Sequence, residues 1–336
     1  MKIGLKLNSQ FAQGQDPVQC TRELLDQVRA ARDGGFDSVW VSQHWLAKPY
    51  QAIQTWPMLG RVAAESGEMQ VGTSIFLLTL LNPVYAAESA VTMDVITGGR
   101  FVFGLGLGYR PEEFEAFGVD ITKRGSRYEE ALQVMLRLFS EDSVTHHGAH
   151  FQLTDAVLAL KPVQRPHPPI WLAASGDAAV RRAARFGFPW LINPHASFDT
   201  ISQQMSLYKE VAAASGHALP DEVPVFKEIS IAETRERAMS SAQPYVEGKY
   251  KSYSKWGLDK PMSESESLSV PFEELVRDRF IVGTPDDVNR DIERHHGAIG
   301  ANHFLMRFQW AGMPQERVLE QLAMMSREVI PAWHKS

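Results

Sequence analysis

The chain has 336 residues, of which 44% are hydrophobic and 22% charged, a composition typical of a water-soluble globular protein. A formal net charge of -6 without any basic run argues against a nucleic-acid partner, and no apolar run approaches the ~20 residues that a membrane span requires. The single cysteine, Cys20, excludes an internal disulfide, and together with an N-terminus that begins directly as a strand it predicts a cytoplasmic protein.

Strand-like and helix-like segments alternate along the whole chain. Short apolar segments bounded by turn residues predict eight strands, which begin near Ile3, Ser38, Gln70, Phe101, Pro169, Pro189, Val225 and His303. Helical segments separate them, with starts near Asp16, Pro57, Pro83, Gly125, Ser175, Phe198 and, after the last strand, Pro314. This alternation predicts an α/β fold, a single (β/α)8 TIM barrel domain over residues 1–336.

Two segments depart from the alternation and are predicted to be insertions. Residues 144–151 predict a small hairpin, and residues of about 238–275 predict a partly helical lid after the seventh strand. The lid carries Tyr245, Tyr250, Tyr253 and Trp256. Aromatic residues that close over a substrate favour an enzyme, although the same residues could simply pack a surface helix.

The fourth predicted strand, residues 101–107, has one apolar face and one nearly bare face. Successive strand residues point to opposite sides, so Phe101 and Phe103 share one face, and Gly104 and Gly106 lie on the other. A flat ligand lying on the glycine face would explain this pattern. A tightly packed bulge or barrel corner would explain it equally well.

The C-terminal ends of the strands carry the chemistry of such a barrel. The predicted ends hold neither two facing carboxylates nor a carboxylate and histidine ligand set, which argues against a glycosidase or a metal hydrolase. Histidines 146, 147 and 150 cluster on the predicted hairpin without the spacing of metal ligands, and no metal is predicted. The strand-end residues are Asn8, Gln43, His44, Ser74, Gly106, Ser175, Asn193 and Arg307.

The turn at Ser175 and Gly176 follows a buried strand and opens a helix. Free N–H groups at such a helix start bind phosphate, whereas simple capping by Ser175 or Asp177 is the alternative. Next to the bare strand, a flat cofactor that bears a phosphate explains both features. A dinucleotide fold is rejected, because Tyr109 stands where the fingerprint needs its third glycine and three βα units come first.

Short motifs occur at residues 71–74, 82–94, 98–101, 113–119, 161–164, 168–171 and 282–285. Each motif is weak alone, but their order and spacing resemble the bacterial luciferase-like flavin-dependent oxidoreductase and monooxygenase family over almost the whole chain. The resemblance implies a barrel that holds FMN, or a related 8-hydroxy-5-deazaflavin, at its C-terminal mouth.

The resemblance also implies roles for individual residues. It places His44 beside the reactive edge of the flavin ring as the catalytic residue, and it matches Ser74–Ile75 to a cis peptide that supports the ring. The turn at 174–176 matches the phosphate-binding turn. The implied cofactor-binding residues are Ser74, Ile75, Gly106, Tyr109, Ala174, Ser175 and Gly176, and the substrate residues are Asn8 and Arg307. Arg307 could bind an anionic group or pair with a structural carboxylate.

The chain departs from luciferase itself at several of these positions. Luciferase has cysteine and arginine at the positions of Gly106 and Leu107, an acidic residue at Ala174, and a glutamate paired with its histidine where Gln43 stands here. Light emission is therefore not expected. The changed phosphate neighbours leave the choice between FMN and deazaflavin open.

Three functions follow from the resemblance. The leading hypothesis is a two-component monooxygenase, in which a separate reductase supplies reduced FMN and O2 oxygenates a small organic substrate. His44 would transfer protons near neutral pH, although it could instead pack against Trp40 or Trp45. The alternatives are a deazaflavin-dependent hydride-transfer oxidoreductase and a non-catalytic flavin-binding protein.

The resemblance further predicts a homodimer, since members of the family commonly associate through barrel helices on one side. The sequence supports this expectation through small apolar residues on the third helix, namely Ala86, Ala87 and Ala90.

Overall fold

The computed structural model describes residues 1–258 and 266–334. Its strands are β1 (Lys2–Lys6), β2 (Gln10–Ala12), β3 (Ser38–Val41), β4 (Tyr50–Ala52), β5 (Gln70–Leu77), β6 (Phe101–Gly106), β7 (Val144–His147), β8 (Gln152–Ala156), β9 (Ile170–Ala174), β10 (Trp190–Ile192), β11 (Pro224–Ile231), β12 (Ile281–Gly283) and β13 (His303–Arg307). Its helices are α1 (Pro17–Asp33), α2 (Thr55–Glu65), α3 (Pro83–Ile96), α4 (Pro111–Ala116), α5 (Arg124–Ser140), α6 (Asp177–Phe186), α7 (Phe198–Ala214), α8 (Arg235–Lys255), α9 (Phe272–Val276), α10 (Pro285–Ile299), α11 (Gln315–Met324) and α12 (Ile330–His334).

Eight parallel strands close into a barrel in the order β10-β9-β6-β5-β3-β1-β13-β11, and pairing between β10 and β11 completes the ring. These are the eight strands that the sequence predicts, so the (β/α)8 barrel is confirmed. A further parallel strand, β12, pairs with the C-terminal half of β11 and lies outside the prediction. Its three residues are too few to show a strand period.

Strand β6 separates two layers of the core, as its alternating pattern predicts. Phe101 and Phe103 face outward and pack with Trp56, which lies between the barrel and its helices. The barrel interior is filled by a second cluster, in which Trp40 stacks on Trp171 with ring centroids 4.6 Å apart. This packing fills the interior of the barrel with side chains, and space for a ligand is left at its C-terminal mouth.

The glycine face of β6 is covered by protein. The Thr73 carbonyl lies where a side chain on Gly104 would project, and the Ile75 side chain occupies the corresponding space at Gly106. The pairing register between β5 and β6 shifts between Thr73 and Phe76. The expectation that a ligand lies directly on this face was wrong, and the packed bulge accounts for both glycines, because each allows a close backbone or side-chain approach.

The sequence motifs at residues 82–94 and 161–164 contact each other in the fold and have a structural role. Asp94 is fully buried on α3, and its carboxylate accepts hydrogen bonds from the backbone and side-chain amides of Gln164, at 2.9 and 2.7 Å. The Gln164 side chain also donates to the Phe101 carbonyl, at 2.7 Å. A buried carboxylate needs such partners, and this one ties α3 to the segment before β9 and to the start of β6.

The predicted hairpin is present as β7 and β8, and its histidines have ordinary polar neighbours. His146 lies 3.1 Å from a Glu130 oxygen, and His147 lies 3.0 Å from the side-chain oxygen of Gln152. Within the predicted lid, α8 and α9 are helical, whereas residues 259–265 lie outside the described part of the chain.

Helix α3 turns its alanines toward the core. Ala86, Ala87 and Ala90 are fully buried in the main hydrophobic cluster. They therefore cannot form the dimer surface that the sequence analysis expects from them. The exposed apolar side chains of α3 are instead Tyr85, Val95 and Ile96. Among residues 1–258 and 266–334, no helix is both long and apolar enough to cross a membrane.

Candidate active site

A cavity of about 250 Å³ lies at the C-terminal mouth of the barrel. Of the residues that the sequence proposes for the site, the structure brings eight to its wall, namely His44, Ser74, Ile75, Tyr109, Ala174, Ser175, Gly176 and Arg307. Two others are elsewhere. Gly106 lies beneath Ile75, and Asn8 lines a separate side cavity of about 110 Å³.

The peptide bond between Ser74 and Ile75 is cis, as the resemblance implies. Both residues line the cavity at the end of β5. The apolar side chains of Leu191 and Phe226 line the cavity as well. Apolar walls with a few polar groups are typical of cofactor sites.

One end of the cavity is suited to a phosphate. Gly176 is the N-cap of α6 and gives it no side-chain hydrogen bond, unlike the caps of α1, α3 and α7. The simple capping that the sequence left open is therefore not present at Ser175. Ser175, Gly176 and Ala179 all face the cavity, where the first amides of a ten-residue helix favour an anion.

Arg124 also lines the cavity, and its neighbour Gly125 lies against Arg182 of α6, so the start of α5 is close to α6. Sequence reasoning missed Arg124. It stands at the first residue of α5, about fifty positions before the α6 turn. A cation at a helix N-terminus is unfavourable for the helix dipole, and this was the signal that could have identified Arg124. A guanidinium and an open helix start together form a site for a phosphate group.

His44 follows β3 and faces the carboxylate of Glu113 on α4. His44 Nδ1 is 3.4 Å from Glu113 Oε1, and that oxygen also accepts a hydrogen bond from the Trp45 amide at 2.9 Å. Glu113 is 1% exposed and lies 3.4 Å from Arg110 Nη1. A carboxylate at Nδ1 favours the tautomer with its proton there, which leaves Nε2 for a ligand.

The glutamate thus comes from α4 rather than from the neighbouring position in sequence. Gln43, which stands where luciferase has a glutamate, accepts a hydrogen bond from the Leu77 amide at 2.8 Å. The sequence contains Glu113 within a family motif, but its approach to His44 depends on the packing of α4 over the loop after β3.

Aromatic side chains from the end of α8 cover the histidine. Tyr253 and Trp256 stack at 5.1 Å, and the Trp256 and His44 ring centroids are 5.9 Å apart. The Arg110 guanidinium lies 4.0 Å from the Trp256 ring centroid. The alternative partners suggested by the sequence lie elsewhere: Trp40 is in the barrel interior, and Trp45 packs on Phe117.

Arg307, which lines the cavity, belongs to a buried ionic cluster. Glu228 Oε1 accepts hydrogen bonds from Lys249, Tyr250 and Arg307, and Oε2 accepts one from Trp310. Burial acts to raise the pKa of Glu228, but Lys249 and Arg307 outweigh it and lower that pKa to about 2. Arg307 therefore has the structural carboxylate partner that the sequence proposed as one alternative.

Adding a methyl group at Gly106 tests how this position acts. Gly106→Ala would push the end of the Ile75 side chain toward the cavity, because the new carbon overlaps Ile75 Cδ1. Overpacking of this kind typically costs about 1–3 kcal/mol. We expect affinity for the flavin-type cofactor that the resemblance implies, measured by titration, to fall roughly tenfold, ~1.4 kcal/mol, with a smaller change in melting temperature.

The double variant Gly106→Ala/Ile75→Val is the control, because Ile75→Val removes only the overlapping methyl group. It should restore flavin affinity. If the double variant binds flavin as weakly as Gly106→Ala does, residue 106 does not act through the Ile75 side chain.

Comparison with known proteins agrees with this architecture. The profile of the family described as luciferase-like monooxygenase matches residues 1–302. The chain belongs to the luciferase-like monooxygenase family. The resemblance seen in the sequence motifs is confirmed, and membership of this family makes the chain an oxidoreductase enzyme. A non-catalytic flavin-binding protein is therefore set aside.

Relatives within the family differ in the cofactor that their names give. An F420-dependent glucose-6-phosphate dehydrogenase of Amycolatopsis mediterranei is 26% identical over 98% of both chains. The oxygenase component of a flavin-dependent trigonelline monooxygenase of Acinetobacter baylyi is 24% identical, over 96% of this chain and 92% of that one. The oxygenating constituent of 3,6-diketocamphane monooxygenase of Pseudomonas putida, in complex with FMN, superimposes with a TM-score of 0.82 at 20% identity, covering 98% of each chain.

The residues of this cavity fit a flavin-type cofactor. The open start of α6 and Arg124 suit its phosphate, and the apolar wall suits a ring. Tyr109 adds a buried hydroxyl that has no hydrogen-bond partner among the described residues. Burial raises the pKa of Tyr109 well above its ordinary value, so it stays a neutral donor available to a ligand.

Proposed function

We propose that the enzyme is the oxygenase component of a two-component, FMN-dependent monooxygenase that acts on a small organic substrate. One observation carries the proposal: the cavity runs from an uncapped helix start with Arg124 to a His44–Glu113 pair beneath the aromatic cover formed by Tyr253 and Trp256. The first end suits a terminal phosphate. The second suits proton transfer with water excluded.

Each residue has a separate task in this proposal. Ser175, Gly176 and Arg124 bind the phosphate, and Ser74, Ile75 and Tyr109 contact the ring. Bound reduced FMN would supply the oxygenation chemistry, in which its two electrons reduce O2 so that one oxygen atom enters the substrate and the other leaves as water. His44 Nε2 gives or takes a proton at the reacting end while Glu113 holds the imidazole in orientation. The aromatic cover keeps bulk water from the reacting atoms.

A deazaflavin-dependent hydride transfer is the second candidate, and the F420-dependent names of several relatives support it. The decisive experiment titrates the protein without oxygen with reduced FMN and, separately, with reduced 8-hydroxy-5-deazaflavin. We expect micromolar or tighter binding of reduced FMN and oxygen uptake when air is admitted. Tight binding of the deazaflavin alone, with no oxygen uptake, would overturn the FMN proposal.

The reductase and the homodimer are part of the same proposal. The name of the Acinetobacter baylyi relative, an oxygenase component, supports a separate reductase. The homodimer and the cytoplasmic location stay predictions. Sedimentation at micromolar concentration should give twice the monomer mass of 37.6 kDa, and a monomer would contradict the dimer.

A further inference from the structure

The cavity borders, at Arg307, on a buried cluster that holds more basic than acidic side chains. Lys6, Lys249 and Arg307 come from β1, α8 and β13 and are 1%, 7% and 6% exposed. The carboxylate among them is Glu228, which is fully buried. Lys6 and Arg307 approach the same cavity-lining ring, Phe226, at 5.8 and 4.9 Å from its centroid. Three buried basic side chains thus surround one carboxylate.

Glu228 cannot satisfy this cluster alone. Its Oε1 already accepts three hydrogen bonds, and its Oε2 accepts one from Trp310. Lys6 donates instead to the neutral hydroxyl of Ser42. Arg307 reaches Glu228 only through Nη1, and its Nε has no hydrogen-bond partner among the described residues. Buried donors without acceptors and unbalanced buried charge are both unfavourable, so a second anion would stabilise the cluster.

We infer that the substrate is an organic acid and that its carboxylate binds in the cavity against Arg307, beside the buried cluster that Arg307 shares with Lys6 and Lys249. A planar guanidinium with unused N–H groups matches the two oxygens of a carboxylate. Phe226 and Leu191 provide apolar wall for the carbon skeleton above it. The inference rests on the proposed function only in taking this cavity as the one that holds the substrate.

The charges around Lys249 give the site a pH dependence. Burial, and next Arg307, lower the pKa of Lys249 to about 7, and burial with Arg307 also holds the pKa of Lys6 well below its ordinary value. The other groups facing the cluster are Glu228, Tyr250, Tyr253 and His195, and burial lowers the pKa of His195 to about 3, so it is neutral above that pH. An anion beside Arg307 is attracted more strongly while Lys249, in the same cluster, is protonated. Affinity should therefore fall as pH rises through 7, by about tenfold or more between pH 6 and 8.5.

The test is calorimetric titration of the enzyme with acetate, butanoate and benzoate, each compared with its neutral amide. Titrations are carried out on the protein alone and on protein saturated with FMN. We expect at least one acid to bind ten times more tightly than its amide at pH 6. Arg307→Gln should weaken that binding tenfold or more, whereas the exposed Arg22→Gln should leave it unchanged.

Glu228→Gln separates a binding role from a purely structural one. Glu228→Gln removes the competing anion, so the acid should bind more tightly at pH 6. If the cluster were only structural, Arg307→Gln and Glu228→Gln would both weaken binding of the acid. The inference is overturned if every acid binds no better than its amide, if inorganic phosphate binds the FMN-saturated protein as tightly as the best acid, or if FMN displaces the acid. The FMN titration is read separately, so loss of flavin binding with intact acid binding contradicts only the proposed function.

Discussion

Replacing His44 with asparagine is expected to lower single-turnover oxidation by about 10²–10⁴-fold, roughly 3–5 kcal/mol of barrier. His44 lines the cavity, its Nδ1 is 3.4 Å from Glu113, and Tyr253 and Trp256 cover it. Asparagine keeps a hydrogen-bonding side chain but cannot change its charge near neutral pH. Flavin affinity should change by no more than about tenfold, ~1.4 kcal/mol, because the phosphate end of the cavity is untouched.

The measurements are flavin titration and single-turnover oxidation across roughly pH 5.5 to 8.5, the range in which histidine titrates. His147→Asn, an exposed histidine on the hairpin, is the matched control and should behave as wild type. If His44→Asn has the same rate and pH profile as wild type, His44 has a structural role and does not transfer protons. Binding and rate that fall by the same factor would mean that it positions the ring.

Replacing Glu113 gives a second test of the His44–Glu113 pair. Glu113→Gln keeps a side chain of the same shape but removes the charge that favours a proton on His44 Nδ1. The rate should fall less than for His44→Asn, and the pH profile should shift, which a merely structural role would not cause.

Introducing a carboxylate at the start of α6 is expected to weaken flavin binding about 100-fold or more, ~2.8 kcal/mol. Ser175→Asp would place a negative charge beside the bound phosphate, one residue before the N-cap Gly176. Two unit charges about 4 Å apart interact by about 4 kcal/mol at the dielectric of a partly buried site, so the effect exceeds any gain from better capping. Fluorescence titration with FMN measures it.

Two further variants control this experiment. Ser175→Ala removes the hydroxyl without adding charge and should weaken binding by less than tenfold. Thr234→Asp adds the same charge at the exposed N-cap of α8, far from the cavity lining, and should leave affinity unchanged. If Ser175→Asp binds FMN as wild type does, the phosphate is not at this helix start.

The order of strands and helices was determined by the sequence itself. All eight barrel strands were predictable because each is a short apolar run bounded by turn residues, and local patterns of this kind depend on neighbours in the chain. The same holds for the two faces of β6 and for the turn at Ser175, where the motif and the helix start coincide. The positions of His44 and Arg307 at the mouth follow from their places at strand ends.

The partners of these residues were decided by tertiary packing. Glu113 reaches His44 from 69 positions along the chain, and Glu228 receives Arg307 from 79 positions away. The barrel brings together strand ends and loops that are distant in sequence, and no local pattern records which side chains meet there. The covering of Gly106 by Ile75 is a similar case: a missing side chain marks a close approach, but only the register of β5 against β6 decides whether protein or ligand fills the space.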